Sequence, residues 1–418
     1  VVADLKGNIY AAGKFKNLEN KFVVAKWDGQ HWLELGSGSG ALNANNFIYC
    51  LAVDTMGNLY AAGGFTNSTG YTSIAKWDGT KWSEVGGLVN ALNPNGYIHT
   101  MTIDVTGNLF VAGSCTDTSG NGYVARWNGM SWSQLGVGSK ALRANGYIYS
   151  LTTDSTGNVY AAGHFTNSKD KYYVAKWNGM DWEELGGVSS LDANGYITCV
   201  KTDTNGNVYA GGGFTDSTGE YYIAKWNGTN WSVVGNGTDT LRANGPFNTI
   251  AISQNGNIYA GGYGTNMLGN TNVIKWDGNR RVEIFNVGYS TDDAIRAIFL
   301  NKDGSLYASG NFKNAGGHRY IAKWDGITMQ ELGFQGEHLQ ANNGINKIVV
   351  DSKGFVYAAG NFVTPGSEDY YIARWNGKTW SRLEGKAPDD ANNGNYPVLM
   401  ATDLSGNLYV TGHFTNSN

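Results

Sequence analysis

The chain has 418 residues, 41% hydrophobic and 15% charged, with a formal net charge of −4 at pH 7. That balance excludes a disordered polyelectrolyte and gives no electrostatic reason to expect nucleic acid as a partner. Sixty glycines against five prolines point to many tight turns, and no apolar run is long enough to span a bilayer.

The chain is periodic along its whole length. The glycine that opens a G-N-x-Y-like phrase recurs at Gly7, Gly57, Gly107, Gly157, Gly206, Gly256, Gly304, Gly354 and Gly406, in steps of 48 to 52 residues. A W-[ND]-G phrase recurs at Trp27, Trp77, Trp127, Trp177, Trp226, Trp276, Trp324 and Trp375. The reading is eight complete units, with a ninth that stops after its first half at about Pro397–Phe414.

Within the unit 148–187 the elements follow in order. I-Y-S-L-T-T-D is a β-forming run, strand A, and D-S-T-G-N is a turn in which Asp154 bonds its own backbone and Gly157 supplies a positive φ. V-Y-A-A-G-H-F is strand B, and T-N-S-K-D-K is a loop. Y-Y-V-A-K-W is strand C, N-G-M-D a turn and W-E-E-L-G strand D; residues 136–146 show the longer linker that joins one unit to the next. No helical period occurs. A four-stranded unit cannot bury both faces alone, so the expected fold is all-β, a β-propeller of four-stranded antiparallel blades. Eight blades are complete and a ninth is a half unit, with a nine-bladed ring as the alternative. Residues 1–418 are read as a single domain. The small residues of strand B suit a place where blades approach closely.

The fourteen tryptophans fall in two columns. Six lie five residues beyond the first column, at Trp32, Trp82, Trp132, Trp182, Trp231 and Trp380, at opposite ends of a four-residue loop. They are read as blade packing rather than as sugar platforms, so Trp77, Trp127, Trp177 and Trp226 are expected to be mostly buried. A basic residue precedes each first tryptophan (Lys76, Lys176 and Lys225 among them), and an acidic or polar residue opens each A–B turn (Asp54, Asp104, Asp154, Asp203). The two columns are read as a ring of partly exposed ion pairs. A calcium ion needs six or more oxygens, more than D-x-x-G-N offers, so no metal or cofactor is expected.

The phrase T-D-S-T-G-N-V-Y-A-A-G-H-F-T-N at 153–167 is similar to the D-x-x-G-N-x-Y signature of bacterial β-propeller repeats of the SBBP and NHL-like groups. A-K-W-N-G-M-D-W-E-E-L-G-G at 175–187 resembles the W-[ND]-G-x-x-W half of tandem repeats in large secreted bacterial surface proteins. The resemblance covers the full chain. It implies a propeller outside the cytoplasm, of unknown or adhesive function, with no catalytic residues. Units six and seven depart from the pattern: Y-G-T-N stands at 263–266, Arg281 and Met329 replace the second tryptophan, and G-Y-S-T-D-D-A stands at 288–294.

No catalytic motif emerges. The six histidines are scattered, with only His164 and His413 sharing a column, and no H-E-x-x-H or G-x-S-x-G occurs. Cys50, Cys115 and Cys199 are read as unpaired. Because strands alternate direction, the B–C loops and the D–A linkers leave one end of each blade and the short turns leave the other. Loops on a rigid scaffold carry recognition, so Thr66, Asn67, Thr166, Asn167, Arg143 and Asn145 are candidate binding-face residues. Arg280, Arg281, Asp292 and Asp293 form a candidate asymmetric edge.

The expected function is a non-catalytic extracellular or cell-surface scaffold or adhesion propeller, binding protein or self-assembling through the strand edge of the ninth unit. A carbohydrate-binding lectin is the first alternative and a propeller lyase or glycosidase the second. Neither a nucleic-acid partner nor a membrane span is expected. Lacking an initiator methionine or signal peptide, the chain reads as mature or trimmed, with targeting signal and anchor absent from it.

Overall fold

The computed structural model describes residues 2–3, 9–12, 17, 19, 21–27, 32–54, 56–87, 92, 94–237, 239–253, 255–265, 271–284, 295–300, 305–314, 316–324, 329–333, 339, 341–350, 354–360, 362, 373–382, 399–402 and 408–411. Among them are eight four-stranded antiparallel sheets, each with its strands in chain order. They span 2–34, 48–84, 98–134, 148–184, 197–233, 247–283, 295–331 and 345–382, and a two-stranded hairpin, Leu399–Thr402 with Leu408–Thr411, follows. The fold is the expected β-propeller of four-stranded blades, with eight full sheets and a ninth half unit. The chain divides into two compact units, Val1–Leu88 with Asp292–Asn418, and Val89–Thr291. Within the first unit the ninth hairpin packs against both the eighth and the first sheets, so the half unit holds a place of its own. In the second unit, sheets three to six follow one another with their A strands side by side.

The fourth sheet shows why the sequence folds this way. Its strands are A Ile148–Thr153, B Val159–Gly163, C Ala175–Trp177 and D Trp182–Glu184. Strand B is buried at every position, as a strand covered on both faces must be. One continuous core joins Phe110, Ala112 and Leu135 of the third sheet to Ile148, Leu151, Val159 and Ala161 of the fourth. Alanines in strand B let the two sheets come close enough to interlock.

The glycine that ends strand B has a sharper cause. Ile148 pairs with Gly163 but Ser150 pairs with Ala162, so Tyr149 is an extra residue in strand A, a β-bulge. The same shift places Tyr49, His99, Thr198 and Asn248 at bulges in other sheets. Opposite the bulge the backbones nearly touch: a Cβ on Gly163 would sit 2.1 Å from the Tyr147 carbonyl oxygen and 2.9 Å from Ile148 Cα. Only glycine fits there, and the bulge turns its extra side chain away from the ladder.

Strand C is shorter than the run Y-Y-V-A-K-W predicts, because its first residues pair elsewhere. Tyr172 exchanges both backbone hydrogen bonds with Ala193 of the following linker, at 2.9 Å each. Gly122 with Ala144 and Phe22 with Ala44 repeat the arrangement. The linkers are thus docked on the sheet they leave. They also hold 3-10 turns at Gly38–Gly40, Gly138–Lys140 and Gly187–Ser189, which the sequence reading lacked.

The outer edges of the A strands in the fourth and fifth sheets are met by hydroxyls from the preceding sheet. Thr100 Oγ1 accepts from the Leu151 N–H at 3.3 Å, and Ser150 Oγ from the Val200 N–H at 3.2 Å. An unpaired strand edge is a template for unwanted pairing, and these contacts occupy it.

Candidate functional site

The two ends of each sheet use their polar residues differently. At the turn end, Asp54 Oδ1 accepts from the N–H groups of Met56 and Asn58, while Oδ2 accepts from Asn58 Nδ2 at 2.7 Å and the Tyr60 hydroxyl at 3.2 Å. Asp154 and Asp203 repeat this with Tyr160 at 2.9 Å and Tyr209 at 3.0 Å. The lysine column meets the tyrosines. Lys76, Lys225, Lys275 and Lys323 place Nζ 5.5 to 5.9 Å from the ring centroids of Tyr60, Tyr209, Tyr259 and Tyr307. In the second and fifth sheets the expected aspartate–lysine ion pairs are therefore replaced by stacks in which aspartate holds the turn and the tyrosine hydroxyl while lysine rests on the ring. A carboxylate that already accepts four hydrogen bonds gains little from a flexible ammonium, whereas the ring face attracts it.

Burial raises the Asp154 carboxyl, but hydrogen bonds from Asn158, Thr156 and Tyr160 outweigh it and hold the group below the ordinary carboxylate range; Asp104 follows the same balance with Asn108 and Thr106. A depressed folded value means the stabilisation is present above the ordinary aspartate range, near pH ~4, and is lost as pH falls through the folded value. Melting scans from about pH 6 down to about pH 2 should show stability falling on that limb, with a shallower slope in Asp154→Asn.

The tryptophan columns are structural, though less buried than expected. Trp77 is 8% exposed, whereas Trp127, Trp177 and Trp226 are only half-buried. Each rests on its cross-strand partner, with Trp177 and Trp182 centroids 5.9 Å apart and tilted by 52°. The second column ties sheets together. Indole Nε1 of Trp182 donates to the Leu135 carbonyl at 2.8 Å, and Trp231 donates to Leu185 and Trp82 to Leu35 at the same distance.

At the loop end, the candidate binding residues hold one another. Asn145 Nδ2 donates to Thr166 Oγ1 at 2.9 Å, and its Oδ1 accepts from the Thr166 N–H at 2.8 Å. Asn45–Thr66, Asn95–Thr116 and Asn194–Thr215 make the same two-point contact. Asn167 Oδ1 closes its own turn on the N–H groups of Lys169 and Lys171, while Nδ2 donates to Glu184 at 2.9 Å. Asn67 does the same with Glu84 at 2.8 Å. Arg143, at φ 49°, donates to the Gly138 carbonyl at 3.0 Å inside its linker. A shallow pocket on the second sheet is lined by Phe65, Asn67, Trp82 and Glu84, and the Glu84 carboxylate there accepts from both Asn67 and Ser73. Of the proposed asymmetric edge, Arg280 pairs with Asp277 at 3.6 Å and Arg281 with Glu283 at 2.9 Å; Asp292 and Asp293 lie outside the described residues.

The loop end also exposes aromatic rings. Tyr97, Tyr147 and Tyr196 stand just before strand A in the third, fourth and fifth sheets, 44%, 54% and 40% exposed. The bulges add His99 and Tyr149. The rings form a chain, with centroids 6.5 Å apart for Tyr97–His99, 6.3 Å for His99–Tyr147 and 6.4 Å for Tyr147–Tyr149. His164 stacks on Tyr196 at 6.2 Å and meets Tyr172 edge-on at 5.4 Å. In the sixth sheet the corresponding residues are Pro246 and the bulge Asn248, so the run of aromatic rings stops there. The sequence reading missed these residues. The signal was Y-I-Y at 147–149, where two tyrosines flank a fully buried isoleucine.

The thiols offer no nucleophile: burial raises Cys50 to about 12, and Cys115 and Cys199 to about 11. All three are free.

No family model and no curated protein matches the chain. Solved β-propellers do. The Dos1 propeller is 12% identical, with 85% of this chain and 88% of that one covered and a TM-score of 0.52. The β-propeller domain of the Trilobed protease from Pyrococcus furiosus is 13% identical over 83% and 100%, with a TM-score of 0.44. The extracellular domain of a putative one-component system from B. thetaiotaomicron is 14% identical, with a TM-score of 0.39; 99% of this chain but only 57% of that domain's length is covered. At these identities the likeness concerns the fold.

Proposed function

We propose that this protein is a non-catalytic binding propeller of a bacterial cell surface or secreted assembly, and that a protein partner docks on its loop end. One observation carries the reading. The repeated polar columns hold turns, loops and linkers together, while the loop end exposes a group of aromatic rings on consecutive sheets. Exposed tyrosines on a rigid scaffold offer large contact area at low entropic cost, which is what protein recognition uses. Adhesion at a surface would follow from such docking.

Photocrosslinking tests this directly. A photoreactive residue at Tyr147, on the loop end, is compared with one at Met130, on the turn end, in cells that produce the protein. Protein adducts from position 147 and none from 130 are expected. Adducts from the turn end alone, or saturable glycan-array binding with no protein adduct, would overturn the reading.

A further inference from the structure

We propose that the W-N-G hairpins at Asn128, Asn178 and Asn227 are self-modifying sites, in which the turn promotes hydrolysis of its own asparagine side chain to a carboxylate. The inference goes beyond the docking reading and concerns the opposite end of the sheets.

In an Asn-Gly pair the glycine nitrogen can lose its proton to solvent and attack the asparagine Cγ. A five-membered imide forms, and the side-chain nitrogen leaves as ammonia. Water then opens the ring at one carbonyl or the other, giving aspartate or its isoaspartyl isomer. One water is consumed and one ammonia released. Three conditions favour the attack: hydrogen-bond donors on Oδ1, where negative charge develops, a leaving nitrogen that nothing holds, and room around the attacking nitrogen.

The hairpins supply all three. Asn178 Oδ1 accepts from the N–H groups of Met180 and Asp181 at 2.9 and 3.0 Å, a two-donor cradle for an oxyanion. Asn128 Oδ1 accepts from Met130 and Ser131 at 3.0 and 2.9 Å. Asn227 Oδ1 accepts from Thr229 and Asn230 at 2.9 and 3.0 Å, and the Thr229 hydroxyl adds a third donor at 2.9 Å. Nδ2 of these asparagines and the N–H groups of Gly129, Gly179 and Gly228 make no hydrogen bond to a described residue. A Cβ on any of the three glycines would meet nothing within 4 Å, so the reacting face is open.

The linkers hold the same dipeptide in a protected form. Asn95, Asn145 and Asn194 also precede glycine and are also exposed. There Nδ2 donates to a threonine hydroxyl, and Oδ1 accepts from the backbone N–H of that threonine. A Cβ on Gly96, Gly146 or Gly195 would strike the carbonyl oxygen of Ser114, His164 or Gly213. The leaving nitrogen is held and the glycine is packed against backbone.

The aspartate product has a place prepared for it. Asp78 and Asp277 occupy this turn position in the second and sixth sheets, and each accepts from the same two N–H groups. Hydrogen bonds from the Lys81 N–H and from Thr80 hold the Asp78 carboxyl down at about 2, so a carboxylate here is ionised. Conversion by the aspartate route keeps the hairpin and adds one negative charge at the turn end.

The test is incubation of the full chain at mildly alkaline pH in heavy-oxygen water, folded and in guanidinium, with tandem mass spectrometry of its peptides. In the folded chain Asn128, Asn178 and Asn227 should take up label at least about tenfold faster than Asn95, Asn145 and Asn194. Unfolding should erase the difference by slowing the first set and speeding the second. Asn178→Asp should melt with the unmodified protein, because the carboxylate takes over the turn. Linker asparagines that react as fast as turn asparagines in the folded chain, or turn asparagines that react faster once unfolded, would overturn the assignment. A large drop in the melting temperature of Asn178→Asp would overturn the accommodation of the product.

Discussion

Replacing Gly163 with alanine should destabilise the protein by at least about 3 kcal/mol, more than most single substitutions. The added methyl would lie 2.1 Å from the Tyr147 carbonyl oxygen, and both atoms belong to backbone fixed in the ladder. No side chain can rotate away to make room. Strand A must retreat from strand B or lose its bulge, and a lost bulge shifts Tyr149 and every residue before it by one position. Chemical denaturation of Gly163→Ala against Gly157→Ala separates close approach from turn geometry. A Cβ at Gly157 meets nothing within 4 Å, so that variant carries only the strain of its φ of +89° and should cost less.

The second large effect is expected at Trp182. Alanine there removes the cross-strand partner of Trp177 and the indole donor to Leu135, and opens a gap between the third and fourth sheets. The cost should be about 3–5 kcal/mol. Trp182→Phe keeps most of the ring area but leaves the carbonyl without its donor, so about 1–2 kcal/mol is expected. Met180→Ala, at the exposed tip of the same hairpin, should change stability by less than about 0.5 kcal/mol. Equal melting of all three would mean that the column does not join the sheets.

These two residues show what could be read from the sequence. The period, the four strands, the turn residues and the two tryptophan columns were legible because each repeats a local rule: a glycine at positive φ, an aspartate closing its turn, two aromatics flanking a four-residue loop. Partners set by long-range packing were not. The lysine column could be seen beside the aspartates, but that lysine rests on Tyr60 while Asp54 is already saturated depends on which face of strand B each occupies. The linkers looked like free loops because their sequence is rich in asparagine and glycine; Ala144 and Ala193 instead complete the edge of strand C. The same docking explains why the candidate residues Thr166, Asn167 and Asn145 hold the loops rather than present themselves. The aromatic chain was hidden for a third reason. A bulge shifts the alternation by one residue, so a strict period of two assigns Tyr149 and Ser150 to the wrong sides.

In the proposed reading, the loop asparagines build the face and the tyrosines recognise through it. Its most direct test is a paired measurement of melting temperature and photocrosslinked adduct from position 147 in Asn167→Ala and Tyr149→Ala. Asn167→Ala should lower the melting temperature by about 2 °C or more, through loss of the turn closure and the tie to Glu184, and leave the adduct yield unchanged. Tyr149→Ala should leave melting unchanged and abolish most of the adduct. The reverse pattern, with adduct lost in Asn167→Ala and retained in Tyr149→Ala, would contradict the account.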